Sequence, residues 1–185
     1  MNKSVLFFIV IITVFLFLSP ELEAKNKMIQ VGDTFPGIFL KDLKGNDFFL
    51  KDYVGEKATK DYGAIIFSLC ASYCKPCKKE IPEFGKLMEK YKDKGLGIFL
   101  IALEKEEMAR KLVSETKTDI PVLLDKYLLV PKLVGNTAIP FTVLIDKKGT
   151  VRLINTGFSE KDVDRMMERL EYALSSVLGI EEKLE

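Results

Sequence analysis

Cys74 and Cys77 stand in a C-x-x-C spacing within Cys70-Ala71-Ser72-Tyr73-Cys74-Lys75-Pro76-Cys77-Lys78-Lys79-Glu80, and this run holds all three cysteines of the chain. The thiolate is the reactive form of cysteine, and a helix N-terminus with cations nearby stabilises it. The apolar run before Cys70 ends where a charged, helix-forming stretch begins, so Cys74 is expected at the first turn of a helix. There its sulfur would face unpaired backbone N–H groups. Lys75, Lys78 and Lys79 add positive charge. Pro76 suits a first turn, where a missing N–H costs little. Cys74 is therefore the expected nucleophile and Cys77 the resolving thiol of a disulfide-exchange pair. A structural disulfide, or half of a zinc site, is the competing reading. The chain has no histidine and no second C-x-x-C, so a four-ligand zinc site would have to recruit carboxylates.

Glu80 follows Cys77 by three residues, one helical turn on. A carboxylate there could take the proton that the resolving thiol must lose; the alternative is a solvated helix glutamate. Cys70 reads as a small buried hydrophobe, with a third redox thiol as the alternative. Cys70, Cys74 and Cys77 also spell C-x-x-x-C-x-x-C, and three thiolates could hold Cu(I). A copper-binding module using all three is the rival class of function.

The elements that must position these residues follow from hydrophobic spacing. Tyr62 to Leu69 and Leu96 to Leu103 are near-continuous apolar runs, as in strands buried on both faces. Residues 75 to 92 place Ile81, Phe84, Leu87, Met88 and Tyr91 at helical spacing. A second helix is expected over 105–117, a strand over 120–124, and a short helix or irregular turn over 127–134. A hairpin follows over 141–146 and 151–155. A closing helix spans 160–178, capped by Ser159. Strands alternating with helices, then a hairpin and a helix, predict an α/β domain with a central mixed sheet covered on both faces. Upstream, Asp42 to Asp47 reads as a turn centred on Gly45-Asn46, and Phe35, Phe39, Phe48 and Phe49 as core.

The Cys70 to Glu80 segment resembles the active-site segment of thioredoxin-like proteins, and within them of the TlpA/ResA-like exported thiol–disulfide oxidoreductases. Pro82 resembles the proline that kinks the active-site helix there. Ala138-Ile139-Pro140-Phe141-Thr142 resembles the loop carrying the family's cis-proline. The likeness runs over about residues 29 to 178. It implies a thioredoxin-like fold with an added N-terminal β-hairpin, and an inserted βα unit between Cys77 and Pro140. It implies that Ile139 and Pro140 shape a substrate groove, that Tyr73 shields Cys74, and that Glu80 handles protons. It also implies that Ser68 stands where thioredoxin has a buried aspartate. The implied activity is reduction of disulfides in exported proteins, such as the haem-binding cysteines of apocytochrome c, with a membrane thiol–disulfide protein as electron donor. The only redox group implied is the Cys74–Cys77 disulfide, with no metal or other cofactor. Relatives that bind copper in this fold also use a histidine, which is absent.

The remainder of the chain supplies an address. Met1-Asn2-Lys3-Ser4 is basic, Val5 to Leu18 is apolar apart from Thr13, and Ser19 to Ala24 stands in the place of a cleavage region, with a small Ala24 but a large Leu22. This order marks residues 1–24 as a secretory signal; an uncleaved membrane tether through residues 5–18 is the alternative. The domain then spans 28–179, followed by a charged tail, 180–185. The expected location is extracytoplasmic, where disulfides form readily. The 185 residues suit one domain, 48% hydrophobic composition suits a full core, and a formal net charge of +1 gives no reason to expect a nucleic-acid partner.

Overall fold

In the computed structural model, residues 27–157 and 161–180 are described. The expected signal segment, the Ser159 cap and the charged tail after Ile180 lie outside them. Seven strands form one sheet: β1 (Phe39–Asp42), β2 (Asp47–Phe49), β3 (Ala64–Cys70), β4 (Leu96–Ala102), β5 (Val122–Leu124), β6 (Phe141–Asp146) and β7 (Val151–Thr156). Four α-helices join them: α1 (Lys75–Tyr91), α2 (Glu106–Thr116), α3 (Leu129–Val134) and α4 (Val163–Leu178). The sheet order is β2-β1-β5-β4-β3-β6-β7. β3, β4 and β5 run parallel, joined through α1 and α2, and β6 runs antiparallel to β3.

Every residue of β3 and β4 is buried, because the two strands lie at the centre with protein on both sides. Alternation along β3 divides the core in two. Ala64, Ile66 and Cys70 face α1, α2 and α4, packing with Ile81, Phe84, Leu112 and Leu170. Ile65, Phe67 and Leu69 face the other side, against α3 and the N-terminal segment through Phe35, Phe48, Val130 and Val134. The coverage is therefore asymmetric: three helices on one face, and one short helix plus the entry segment on the other. The Phe67 ring lies at the centre of an aromatic group, 5.1 Å from Phe35 and 5.8 Å from Phe99 between ring centroids.

Several boundaries differ from expectation. β5 starts at Val122, not Ile120, because Pro121 has no N–H for the ladder; its carbonyl accepts instead from Leu100 N–H at 3.0 Å. α4 starts at Val163, with Asp162 at the N-cap and no side-chain cap bond. The hairpin β1–β2 turns at Gly45, φ +85°, a conformation that favours glycine. Asp42 Oδ1 accepts there from the Lys44 and Asn46 amides. Phe39 and Phe49 are not core: they stack on one another, 4.4 Å apart, and Phe39 is 47% exposed.

Candidate active site

The dithiol occupies the joint between β3 and α1. After Cys70 the chain turns through Ala71, Ser72 and Tyr73, and the Cys74 amide donates to the Ala71 carbonyl at 3.0 Å. Cys74 is the N-cap of α1, and Pro76 falls in the first turn. Cys74 and Cys77 are joined as a disulfide, Cα to Cα 5.3 Å. The Cys77 N–H donates to Cys74 Sγ at 3.2 Å, so an otherwise orphaned helix N–H is directed at the sulfur that would carry charge. Cys77 is fully buried and Cys74 7% exposed; solvent reaches the pair only from the Cys74 side. Tyr73 stands beside it, 75% exposed. Of the three lysines expected to add charge here, Lys78 is engaged elsewhere, with Glu115 of α2 at 2.6 Å.

Glu80 is in the interior, not on the solvated face of α1. Its side chain is fully buried under the sheet. Oε1 accepts from the Thr142 hydroxyl at 2.5 Å and the Ser68 hydroxyl at 3.4 Å. Oε2 is buried with no hydrogen-bond partner among the described residues. Burial pushes the carboxyl up from 4.5 to about 8, against the opposing pull of the two hydroxyls. Where the thioredoxin resemblance implies a buried aspartate on the strand, this chain has Ser68, and the carboxylate arrives from α1 instead.

The Ile139–Pro140 peptide bond is cis. Leu69 at the end of β3 pairs with Phe141 at the start of β6. This register sets Pro140 beside the loop that leads to Cys74. Gly157 N–H donates to the Pro140 carbonyl at 2.9 Å, and Ile139 packs partly buried between the two halves of the core. α1 runs on through Pro82.

Cys70 is a buried free thiol whose Sγ donates to the Ile101 carbonyl at 3.7 Å. Burial is the main cause that pushes it well above the ordinary thiol value, with the Glu80 and Glu104 carboxylates adding to the effect. In this disulfide form the arrangement lends the copper alternative no support. With Cys70 directed at a backbone carbonyl and the other two sulfurs bonded to one another, no group of three cysteine, aspartate or glutamate side chains among the described residues could hold a metal ion.

The sequence assigns no role to two partners of the site. Thr142 follows Pro140 by two residues, so the proline motif itself led to it. Glu104 follows the C-terminal end of β4, where open parallel sheets build their sites. It accepts from the Ser72 amide at 2.8 Å and the Ser72 hydroxyl at 3.0 Å. It also lines a groove of about 790 Å³ with Phe39, Leu124, Tyr127 and Leu129. No helix among the described residues is long and apolar enough to cross a membrane.

Comparison with known proteins follows the same lines. The pattern of the AhpC/TSA family matches residues 31–154. A thiol-disulfide oxidoreductase ResA from Geobacillus kaustophilus is 26% identical over 144 residues, covering 77% of this chain and 79% of the relative. A ResA from Bacillus cereus is 31% identical over 104 residues, 56% of each chain. Among solved structures, a Chlorobium tepidum protein assigned as a thiol:disulfide interchange protein DsbE superposes with a TM-score of 0.70 at 28% identity, covering 81% of this chain and 99% of the other. The thioredoxin domain of a Bacteroides vulgatus thiol-disulfide oxidoreductase gives 0.63 at 25% identity, covering 77% and 98%.

Proposed function

The chain belongs to the AhpC/TSA family, and from that premise we propose that it is an exported thiol–disulfide oxidoreductase that reduces disulfides in other exported proteins. One observation carries the reading: a C-x-x-C disulfide capping a helix, sealed on the Cys77 side and flanked by a buried carboxyl. In the reduced protein the Cys74 thiolate attacks one sulfur of a substrate disulfide. A Cys74–substrate disulfide forms, and the first substrate sulfur leaves as a thiolate. Cys77 then gives its proton to Glu80 in its ionised form and attacks Cys74 Sγ. The Cys74–Cys77 disulfide forms and the second substrate sulfur leaves. Two electrons have passed to the substrate, and a dithiol protein must return them. A carboxyl near 8 is matched to this proton transfer, because it exchanges protons readily close to neutral pH.

The names of the relatives, a thiol-disulfide oxidoreductase ResA and a thiol:disulfide interchange protein DsbE, support thiol–disulfide exchange as the activity. The resemblance to the TlpA/ResA-like branch extends this to the haem-binding cysteines of apocytochrome c, with a membrane thiol–disulfide protein as donor. The basic head and apolar run of residues 1–24 support export, by a cleaved signal or as a tether.

The test is a redox titration of the full chain, counting alkylated thiols by mass at each poise. Two thiols titrating together at low potential while Cys70 stays protected is the expected result. A strongly oxidising pair would make the protein a source of disulfides and overturn the reductase reading. As a companion, Cys77→Ser should trap a mixed disulfide with substrate and Cys74→Ser should not.

A further inference from the structure

The loop before Cys74 is held from outside its own element. Ser72 is 4% exposed, and both its backbone N–H and its hydroxyl donate to the Glu104 carboxylate, at 2.8 and 3.0 Å. Charge-assisted bonds of this kind are among the stronger ones a loop can make. The loop is stitched on either side of Ser72: Leu103 N–H donates to the Cys70 carbonyl at 3.0 Å, and Cys74 N–H to the Ala71 carbonyl at 3.0 Å. Glu104 comes from the β4–α2 connection, so β3 ends, α1 begins and β4 ends at one fastened point. At the end of this path the Cys74 sulfur accepts the Cys77 N–H at 3.2 Å.

We propose that Glu104 is a positioning residue for thiol exchange, latching Ser72 so that Cys74 is presented at the N-terminus of α1; this rests on the thiol-exchange reading above. The carboxylate has a second, opposing action. Its negative charge reaches the same region, where it contributes to raising Cys70. By charge alone it would make a Cys74 thiolate harder to form, whereas as a latch it makes the thiolate easier to form. The two actions predict opposite signs and can be separated.

The experiment uses the full chain, reduced, reacting with an aromatic disulfide reagent across a pH series. The profile reads both the apparent titration point of Cys74 and the limiting rate of its thiolate. Glu104→Ala should raise that titration point and cut the limiting rate at least about fivefold, since small misplacements of a reacting group are costly. Glu104→Gln can still accept the Ser72 amide and donate to its hydroxyl, so it should recover most of the rate. Ser72→Ala keeps the amide bond alone and should fall between; it serves if Glu104→Ala does not fold. A lowered titration point and faster reaction in both Glu104 variants, or rates unchanged in Glu104→Ala and Ser72→Ala, would overturn the latch. Wild-type protein whose Cys74 does not attack the reagent at any pH would instead refute the exchange reading itself.

Discussion

The Thr142 hydroxyl, on the strand that follows the cis Ile139–Pro140 bond, donates to Oε1 of Glu80 on the helix that carries the dithiol. Ser68 of β3 completes the contact from the neighbouring strand. Antiparallel register makes this possible, since Ser68 and Thr142 are direct partners across β3 and β6. The cis-proline loop and the buried Glu80 carboxyl therefore share one strand as foundation.

The first prediction concerns stability and pH. Unfolded, Glu80 ionises near its ordinary 4.5; folded, it keeps its proton until about 8. Between these values the native state binds more protons, so this group's contribution to stability falls as pH rises. The full drop is roughly 5 kcal/mol at about 1.4 kcal/mol per pH unit. Denaturant melts of the oxidised protein at pH 5, 7 and 9 should lose stability along this series. Glu80→Gln should be much flatter, with its advantage over wild type greatest at pH 9. Parallel curves for the two proteins would mean that Glu80 is ionised when folded.

Thr142→Val removes the stronger of the two hydrogen bonds that pull the Glu80 carboxyl down. Its titration point, followed by carbon NMR of the labelled carboxyl, should move above the wild-type value of about 8. The pH dependence of the resolving step should move in the same direction. A midpoint that stays put would assign the hydroxyl to packing alone.

Cys70 should be inert in the native protein. Its sulfur is fully buried and its proton is held well above the ordinary range. Alkylation should require unfolding, and Cys70→Ala should keep disulfide exchange while losing about 1–3 kcal/mol of stability from lost packing. Loss of exchange in a folded Cys70→Ala protein would draw Cys70 into the site.

Phe67→Ala tests the opposite face of the sheet. It would leave a void among Phe35, Phe48 and Phe99 and should cost about 3–5 kcal/mol in denaturant melts. The reactivity of Cys74 in the folded fraction should change little, because Phe67 belongs to the half of the core facing away from α1.

What the sequence made legible was whatever local chemistry determines. The C-x-x-C at a strand–helix joint, the Ile-Pro loop and the two central strands all write their patterns within a few residues. Glu80 was visible as a helix neighbour of Cys77, but not as a buried group. Its burial depends on Ser68 and Thr142, which lie 12 and 62 residues away in sequence and meet only through strand register. Glu104 was missed for the same reason: a charged residue after a strand looks solvated until Ser72 is brought to it. Phe39 and Phe49 erred the other way. Aromatic residues in a hairpin read as core, yet pleat alternation turns these two outward together. Ile120 was drawn into β5 by its hydrophobicity, although Pro121 bars the ladder from starting before Val122.

The one-sided burial of the disulfide has a kinetic consequence. With Cys77 sealed and Cys74 open only at the surface, the proposed electron donor and the proposed substrate would both have to react at Cys74 Sγ. They cannot occupy the enzyme together. Turnover is then a double displacement in which each partner leaves before the other arrives, with parallel reciprocal plots for the two. A large excess of either partner in its spent form competes directly with the other. The balance of the two partners would thereby set how much of the enzyme stands oxidised, and the slower half-reaction would limit the flow of electrons.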